Sequence, residues 1–396
     1  MIFHTVNREE PYDSADLYDC IHTIAASDTN CKYPSSRISA SRRWSGFGWR
    51  LFRSRKPPLY IFGFSKWKTF IQDWFPDHEV IIAPAKTSSD QFDRIWKKRI
   101  LRDDRSSVLS WQYKGPSHIK EFCVNNKIIF HYVEDGFIRS IKLGASHTSP
   151  MSLTFDRQDM YFSSQKSTDL EDILSTYDFT NDINLTNRAK QAIDFILSTG
   201  ISKYNSATPV DISAVYGAKT KKRILVIGQV ESDSSIWHGC IKPVTNNDLV
   251  RLARLENPDA DVIYKPHPEV VSGIATKLSD PSDVRTIARI LEQDISLADA
   301  FESIDHVYTI TSLSGFEALL RGIRVTTIGC PFYSGWGLTD DRQPNPRRIR
   351  KLSVEEIFAG AYILYPRYFD PEQKKYIEIE DALTIISNMR ATAYSA

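Results

Sequence analysis

The chain has 396 residues, of which 41% are hydrophobic and 25% are charged, and this composition excludes a disordered or fibrous protein. The length predicts two domains of ordinary size with a cleft between them. The net charge of +1 gives no whole-chain attraction to nucleic acid, so a polyanion would have to bind a local basic patch.

The opening segment and the cysteines predict a cytoplasmic protein with reduced thiols. MIFHTVNREEPYDSADLYD carries acids where a secretory signal needs a basic stretch and an apolar run, and eighteen uninterrupted apolar residues occur nowhere in the chain. The five cysteines are widely spaced without a CxxC motif, so neither a disulfide framework nor a zinc site is expected. We expect a cytoplasmic location, with the inner face of the cytoplasmic membrane as the alternative.

Residues 1–56 form a basic and aromatic lead-in that differs from the rest of the chain. In RISASRRWSGFGWRLFRSRKPP (37–58), basic residues are interleaved with tryptophans and phenylalanines. Either this segment is solvated, with its rings packed on the domain, or it is a surface helix or loop that contacts anionic lipid or the anionic head of a lipid-linked molecule. Gly46 and Gly48 disfavour a regular amphipathic helix.

Residues 57–208 are predicted to form a first lobe in which strands alternate with helices. The strand-like runs are LYIFGF, EVIIAPA, SVLSW, KIIFHYV and MSLTF, and the segment 92–104 has a helical period. A helical stretch over 169–205 closes this lobe, and a polar linker follows over 209–222.

Residues 223–370 repeat this alternation and are predicted to form the second lobe. The strands are RILVIGQ, DVIYKPH, HVYTITS and RVTTIG, and helices are predicted over 246–257, 283–293, 314–322 and 354–364. Residues 371–396 are predicted to form a C-terminal helix that packs back on the first lobe. Strands alternating with helices indicate parallel, doubly wound sheets, so the predicted fold class is α/β with two Rossmann-type lobes and an interdomain cleft.

Polar side chains gather where the strands of the second lobe end, which is where open parallel sheets bind their ligands. Gln229, Glu231 and Asp233 follow RILVIG in one turn. After DVIY come Lys265 and His267, and two prolines hold the histidine in an extended turn. Such a position favours a ligand-facing histidine over one satisfied in the core.

The strand HVYTI leads into TSLSGFE, where hydroxyl groups meet the start of a helix. Free backbone N–H groups and the partial positive charge of a helix N-terminus, together with Thr311, Ser312 and Ser314, would make a phosphate cradle. The alternative is structural, because Ser314 and Glu317 have the spacing of a capping box. A fourth strand, RVTTIG, ends in CPFYSGWGLTDDR, which is rich in glycine and aromatic residues. The convergence of these four strand ends on one cleft favours the cradle.

Two charged pairs of the second lobe carry less specific signals. Asp259 and Asp261 mimic the DxD motif of metal-dependent transferases, but they precede their strand at the wrong end of the sheet and are predicted to be a solvated turn. Arg347 and Arg348 are either an exposed basic run or a clamp for a carboxylate or phosphate.

The first lobe has its own cluster at the end of KIIFHYV. Glu134 and Asp135 stand there before a glycine, and Arg139 follows. Two adjacent acids at a strand end are usually a helix cap or a turn. The glycine and the arginine are also what a substrate-binding loop would contain.

These segments resemble the retaining β-Kdo glycosyltransferases of the capsule polysaccharide synthesis family (KpsC/LipA type) and the related WbbB-type modules that cap O-antigen chains. The similar segments are EDGFIRSIKLG with PMSLTFD (134–156), STDLE, SKYN, GQVESDSSI, YKPHPEV, TSLSGFEALLRG, PFYSGWGLTDD and LYPRYFDP. They extend over about residues 60–370, in the order found in the family.

The resemblance implies a GT-B-like enzyme that moves Kdo from CMP-β-Kdo to a glycan or glycolipid acceptor, either an O-antigen chain or the lipid linker of a capsule. It implies double displacement, with Asp233 as the nucleophile, Glu231 as the alternative, and Glu134 or Asp135 as the base on the acceptor hydroxyl. Neither a metal nor a cofactor is implied, because CMP carries one phosphate that a helix N-terminus, His267 and a cation would neutralise.

The resemblance also implies substrate-binding roles. His267 and Lys265 would contact the phosphate or the Kdo carboxylate, Ser312 and Ser314 the phosphate, and Glu317 the ribose hydroxyls. The other residues assigned to substrate binding are Gln229, Thr311, Gly315, Arg139, Gly335, Trp336, Arg347 and Arg348.

The sequence departs from the family pattern at three positions. Ser232 stands where a second acid is usual, which weakens a two-acid mechanism, and Lys142 and Ser149 replace an expected glycine and an expected basic residue, which indicates a different acceptor preference.

Expected partners are the donor, the acceptor and, peripherally, the inner membrane or other polysaccharide-assembly enzymes. Two alternatives remain: a non-catalytic CMP-sugar-binding module that regulates assembly, and another GT-B-shaped enzyme such as a sugar-nucleotide epimerase.

Overall fold

The computed structural model describes residues 55–395 apart from 141–146, 204, 206–209, 276–277 and 294. The predictions for residues 1–54 and for Lys142 fall outside this part of the chain. Two β-sheets form the centres of two lobes, and helices pack against them. Cys123, Cys240 and Cys330 are free thiols.

Five strands begin the sheet of the first lobe: β1 (Pro58–Phe62), β2 (Glu79–Ile82), β3 (Ser107–Trp111), β4 (Ile129–Asp135) and β5 (Ser152–Asp156). The first four are parallel, in the spatial order β4-β3-β1-β2, whereas β5 runs antiparallel to β4. The residues of β1, β3 and β5 are buried throughout, which is typical of strands covered on both faces of a sheet.

Short helical segments connect these strands, and two longer helices close the lobe. The segments are a 3-10 turn (Lys68–Phe70), α1 (Ile71–Trp74), α2 (Ser89–Gln91), a π-helical segment (Phe92–Trp96), α3 (Lys97–Ile100), α4 (Ile119–Asn125), α5 (Asp169–Thr176) and α6 (Ile183–Thr199). Asp182 caps the N-terminus of α6, where its side chain accepts a hydrogen bond from the Leu185 N–H, and Gly200, with φ of +67°, caps the C-terminus.

The linker between the lobes contains a further helix, α7 (Ile212–Tyr216), within the segment predicted to be a polar linker. Both of its terminal residues are buried, and the Tyr216 hydroxyl donates a hydrogen bond to the Ala300 carbonyl over 2.7 Å. The linker therefore packs on the second lobe through an apolar face. The sequence analysis did not predict this contact, because it considered only the polar residues of the linker.

The second lobe is a parallel sheet of six strands: β6 (Arg223–Ile227), β7 (Asp261–Lys265), β8 (Arg289–Ile290), β9 (His306–Thr309), β10 (Arg324–Thr327) and β11 (Asp340–Asp341). Their spatial order is β11-β10-β9-β6-β7-β8, so the direction of winding reverses between β6 and β9. Doubly wound sheets bind ligands at such a reversal, beyond the carboxyl ends of the strands.

The helical segments of the second lobe are α8 (Ser234–Gly239), α9 (Asn246–Glu256), α10 (Pro268–Val271), a 3-10 turn (Pro281–Val284), α11 (Leu297–Ala300), α12 (Leu313–Leu320), α13 (Val354–Phe358) and a π-helical segment (Ala359–Leu364). The helix predicted over 283–293 is wrong. The chain forms the end of the 3-10 turn and then the short edge strand β8 there.

The chain then returns to the first sheet. Strand β12 (Pro366–Asp370) pairs antiparallel with β5, and β13 (Lys375–Ile377) pairs with β12. The sequence assigned residues 366–370 to the second lobe, whereas the hydrogen bonds of β12 place them in the first sheet. The last helix, α14 (Ile379–Ser395), packs on α6, where Arg188 pairs with Glu378 and Glu380 at 2.8 Å each.

The two lobes share one hydrophobic core. The ring of Phe137, which follows β4, lies 4.8 Å from the ring of Phe332 in the second lobe and 5.1 Å from that of Tyr362. The same cluster contains residues of α6, α12, α13 and α14. Apolar burial therefore fixes the position of each sheet relative to the other, and with it the shape of the cleft.

Candidate functional site

A cavity of about 360 Å³ lies between the lobes at the carboxyl ends of the parallel strands. Both lobes contribute to its wall, which is where the rule for doubly wound sheets places a ligand. The predicted residues that line it are Asp233, Glu134, His267, Gln229, Lys265, Thr311, Ser312, Ser314 and Glu317.

Asp233 presents a carboxylate to this cavity from the turn after β6. It caps helix α8, where its Oδ1 accepts a hydrogen bond from the Ser235 N–H over 2.7 Å. The residue is exposed, and among the described residues its Oδ2 has no hydrogen-bond partner. One carboxylate oxygen is thus held by the helix cap while the other is available to a ligand.

Glu231 has a different environment, although it lies in the same turn. It is buried outside the cavity wall, and its carboxylate accepts hydrogen bonds from the backbone of Asn246, Leu278 and Ser279 and from the Ser279 hydroxyl over 2.5 to 2.9 Å. These four bonds join the turn to α9 and to the loop before the 3-10 turn. Glu231 is therefore engaged in holding loops together and presents no free oxygen to the cavity.

His267 and Lys265 stand beside each other at the end of β7 and line the cavity. The ring Nδ1 of His267 accepts a hydrogen bond from the Glu269 N–H over 3.2 Å, so the neutral ring carries its proton on Nε2. Burial lowers the pKa of this imidazole, and the carboxylate of Asp233 opposes that effect. Lys265 is buried and adds a positive charge to the same wall.

The start of α12 lines the cavity with hydroxyl groups. Ser312 is the N-cap residue, and its Oγ accepts a hydrogen bond from the Ser314 backbone N–H over 3.2 Å. The predicted capping box of Ser314 with Glu317 is wrong, because the cap lies two residues earlier. Gly315 lies outside the cavity wall and is needed for packing, since a Cβ there would lie 2.2 Å from the Tyr333 hydroxyl.

Gln229 and Thr311 connect the turn after β6 to the start of α12. The Gln229 Oε1 accepts from the Thr311 N–H over 2.8 Å, and its Nε2 donates to the Thr311 hydroxyl over 3.2 Å. Both residues line the cavity, so this pair fixes the distance between the Asp233 turn and the hydroxyl-rich helix start.

Glu317 is a buried acid with a free oxygen at the cavity. Its Oε1 accepts a hydrogen bond from the Lys203 N–H over 3.4 Å, while Oε2 is buried without a partner in the described part of the chain. Burial raises the pKa of this carboxyl to about 7. A buried, unpaired carboxyl oxygen is costly, and a donor group from a ligand would satisfy it.

In the first lobe, the two adjacent acids at the end of β4 have separate environments. Glu134 lines the cavity, and its pKa is raised to about 7 by burial and then by the neighbouring charge of Asp135. The Asp135 carboxylate lies outside the wall, where it accepts from the Arg139 Nε over 2.7 Å. Arg139 is fully buried and also donates to the Thr148 carbonyl, so both residues hold the loop after β4.

Arg347 and Arg348 do not reach the cavity. Both donate to the carboxylate of Glu171 on α5, the Arg348 Nε over 2.9 Å, and Glu171 is 3% exposed. Gly335, with φ of +82°, and Trp336, which is fully buried, belong to the same region outside the cavity wall. The partner of both arginines is a carboxylate of the first lobe and not of a substrate. The structure therefore gives Arg347 and Arg348 the role of joining the two lobes.

The cavity wall contains residues that the sequence did not single out. Among them are Gln112 directly after β3, Tyr161, Lys203 and Arg390 on α14. Gln112 could have been found, because it is the first polar residue after a predicted strand. Arg390 could not, since the period of its helix does not indicate which lobe its side chain reaches.

A second, more open cavity of about 600 Å³ lies at the opposite edge of the second sheet, where β6, β7 and β8 begin. Its arginines are engaged within the protein: Arg254 donates to the carbonyls of Ile287 and Ala260, and Arg223 and Arg289 pair with Asp261. Asp261, predicted to lie in a solvated turn, is therefore part of an ion-paired cluster.

Among the described residues, the helices are too short or too polar to cross a membrane.

Comparison with known sequences assigns most of the chain to one family model. The model, described as "Capsule polysaccharide biosynthesis protein", matches residues 106–368. The lipopolysaccharide-processing protein LpsZ of Rhizobium meliloti is 41% identical over 360 residues, which are 90% of this chain and 79% of LpsZ. The capsule polysaccharide modification protein LipA of Neisseria meningitidis serogroup B is 38% identical over 328 residues, but the chain spans only 45% of LipA.

Comparison with solved structures finds two transferases of KpsC from Thermosulfurimonas dismutans. The "beta Kdo 2,4 transferase" superimposes with a TM-score of 0.70 at 28% identity, over 84% of this chain and 98% of that one. The "beta Kdo 2,7 transferase" superimposes with a TM-score of 0.64 at 31% identity, over 84% and 99%. The fold is thus GT-B-like, and these neighbours support a glycosyltransferase.

Proposed function

Because the chain belongs to the capsule polysaccharide biosynthesis protein family, we propose that it is a retaining β-Kdo glycosyltransferase that uses CMP-β-Kdo as its donor. The observation that carries this proposal is the pair of acids on opposite walls of one cavity. Asp233 comes from the second lobe and Glu134 from the first, and the hydroxyl-rich start of α12 lies in the same wall.

The second lobe supports the binding of a nucleotide with a single phosphate. Ser312 and Ser314 offer hydroxyl groups at the N-terminus of α12, where free N–H groups and the helix dipole favour an anion. Lys265 and His267 add a positive charge and an Nε2–H donor. Glu317 would accept hydrogen bonds from the ribose hydroxyls through its unpaired Oε2.

The two acids fit a double displacement. In the first step, an Asp233 carboxylate oxygen bonds to the anomeric carbon of Kdo while the bond to the CMP phosphate oxygen breaks, and CMP leaves with the electron pair. In the second step, the acceptor hydroxyl displaces Asp233 and gives its proton to Glu134. Two inversions at one carbon return the original configuration.

The same residues would stabilise the departing phosphate without a metal ion. The leaving group carries one phosphate, and Lys265 with the N-terminus of α12 supplies positive charge where negative charge develops. Transfer at an undiminished rate in the presence of EDTA is the expected result.

The proposed acceptor is a glycan or glycolipid, either an O-antigen chain or the lipid linker of a capsule. The two KpsC transferases differ in the linkage that their names give, 2,4 against 2,7, although both superimpose on this chain. We therefore expect the linkage to depend on side chains rather than on the fold, and departures such as Ser149 are candidates for setting it.

The test is a mass-spectrometric assay with CMP-Kdo, first without and then with an oligosaccharide acceptor. We expect wild-type protein to release CMP, carry a Kdo adduct on Asp233, and then yield an acceptor one Kdo heavier. Asp233→Ala should abolish the adduct and slow transfer at least about a thousandfold. Asp259→Ala is the matched control, since Asp259 is exposed at the opposite edge of the sheet.

Three results would contradict the proposal. Full activity of Asp233→Ala would remove the assigned nucleophile. Binding of CMP-Kdo without turnover, with any acceptor tried, would indicate a regulatory binding module. Conversion of a sugar nucleotide without an acceptor would indicate an epimerase.

A further inference from the structure

Gln112 has an unusual backbone at the edge of the cavity. It directly follows β3 and has φ of +45°, a left-handed conformation that residues other than glycine rarely adopt. Its N–H donates to the Val133 carbonyl over 3.0 Å, and its carbonyl accepts from the Ser110 hydroxyl over 3.1 Å. Such strain persists only where the surroundings enforce it, and it is frequent at functional sites.

The side chain of Gln112 connects the two walls of the cavity. Its Nε2 donates a hydrogen bond to Oε2 of Glu134, and its Oε1 accepts from the hydroxyl of Ser234 over 3.5 Å. Ser234 is the first residue of α8, directly after Asp233. Since an ionised carboxylate only accepts, the amide nitrogen must face Glu134, which leaves its oxygen for Ser234.

From this geometry we propose that Gln112 is a positioning residue: it orients the Glu134 carboxylate toward the acceptor hydroxyl and sets its distance from the Asp233 helix. The proposal rests on the function proposed above and deepens it for the second step. Residues that hold reacting groups at a fixed separation contribute through orientation rather than through chemistry of their own.

The chemistry of the second step gives this position its importance. The acceptor oxygen forms a bond to the anomeric carbon, the bond from that carbon to Asp233 breaks with its electron pair returning to the carboxylate, and the acceptor proton passes to Glu134. The Gln112 N–H occupies Oε2 of Glu134, so the proton is received by Oε1. Without the amide, the carboxylate can rotate away from the acceptor.

The contact also predicts a pH effect. A hydrogen bond donated to the ionised carboxylate lowers its pKa, and its loss raises the pKa further above the value of about 7 that burial and then Asp135 produce. The other charged groups facing Glu134 are Lys68 and Lys203, which act in the opposite direction. The acidic limb of the rate profile for transfer should therefore move to higher pH in a variant without the donor.

The experiment compares Gln112→Met, which keeps the length and loses both hydrogen bonds, with Ser234→Ala and with Gln373→Met, an exposed control far from the cavity. CMP release from CMP-Kdo alone measures the first step, and transfer to an oligosaccharide measures the second. We expect Gln112→Met to retain the first step within about threefold, and to slow transfer about a hundredfold with the shifted acidic limb. Ser234→Ala should slow transfer less.

A second variant covers the case in which Gln112→Met does not fold. Gln112→Asn tolerates a positive φ but is too short to join both walls, and it should show the same separation of the two steps. Equal loss of both steps, or transfer with an unshifted pH profile, would overturn the positioning role. Wild-type protein that releases no CMP from CMP-Kdo would instead overturn the proposed function, and the role of Gln112 with it.

Discussion

The ion pairs of Glu171 allow a direct test of whether Arg347 and Arg348 pack or bind substrate. Glu171 accepts from both guanidinium groups and from the Asn345 amide over 3.2 Å, and the side chains of Glu171 and Arg348 are 3% and 2% exposed. Glu171→Gln keeps the shape but removes the charge, so two buried or half-buried cations lose their counter-ion. Breaking a buried ion pair from one side typically costs about 3–5 kcal/mol.

The assay is urea unfolding followed by tryptophan fluorescence, combined with thermal unfolding. A loss of about 3–5 kcal/mol should lower the melting temperature of a chain of this length by about 4 to 6 °C. The matched control is Glu378→Gln, which removes one of the two partners of Arg188 where the glutamate side chain is 72% exposed. An exposed pair contributes less than about 1 kcal/mol, so the control should be nearly neutral.

One outcome would refute the packing role. If Glu171→Gln unfolds at the same urea concentration as wild type, while the KM for CMP-Kdo rises about tenfold, the arginines serve the substrate. If both quantities change, adding Arg348→Met to Glu171→Gln separates the two effects, because the double variant no longer contains the unpaired buried cation and should recover part of the lost stability.

Two further predictions concern stability. The pKa of Glu317 is raised from 4.5 to about 7, so between these pH values the folded state holds a proton that the unfolded state releases. The free energy of unfolding should therefore fall by on the order of 3 kcal/mol as the pH rises from about 4.5 to about 7. Thermal unfolding of Glu317→Gln at pH 5 and pH 8 should show a smaller decline than wild type, and parallel curves would contradict this. Gly315→Ala places a Cβ 2.2 Å from the Tyr333 hydroxyl and 2.9 Å from the Thr309 Cγ2, and this crowding should lower the free energy of unfolding by about 1–3 kcal/mol. Adding Tyr333→Phe to Gly315→Ala should recover part of that loss. An unchanged melting temperature of Gly315→Ala would show that the site is not tightly packed.

The strand ends of the second lobe could be predicted from the sequence. Alternating strands and helices indicate a parallel sheet, and the residues that follow its strands lie at one edge of that sheet. Lys265 is the last residue of a buried strand, Asp233, His267 and Ser312 follow buried strands within six residues, and all four line one cavity. Spacing along the chain was sufficient here, since the carboxyl ends of parallel strands lie side by side.

The segment 283–293 shows where the same reasoning fails. Val284, Ala288, Leu291 and Ile295 are buried, at separations of four, three and four residues, which is the spacing of one helix face. The structure instead buries Val284 from the end of a 3-10 turn, and it buries the other three residues from loops on either side of the short strand β8. Any irregular segment that alternately approaches and leaves a core can produce this spacing, so periodicity over three turns does not by itself specify a helix.

Long side chains were harder to predict than strand ends. Arg347 and Arg348 follow a loop rich in glycine and aromatic residues, but their partner Glu171 is more than 170 residues earlier in the chain. A guanidinium binds a carboxylate of the protein as well as one of a substrate, so the residue type left both interpretations open. Only the position of α5 against this loop decides between them.

The turn after β6 shows that burial and donors, more than residue type, separate two acids that are neighbours in sequence. Glu231 accepts four hydrogen bonds from inside the protein, so its lone pairs are occupied, and releasing one for attack on carbon would leave buried donors unsatisfied. Asp233 accepts one, from its own helix cap. A nucleophile needs a free lone pair within reach of the substrate, and Glu231, by holding α9 and the adjacent loop, fixes the turn from which Asp233 presents one.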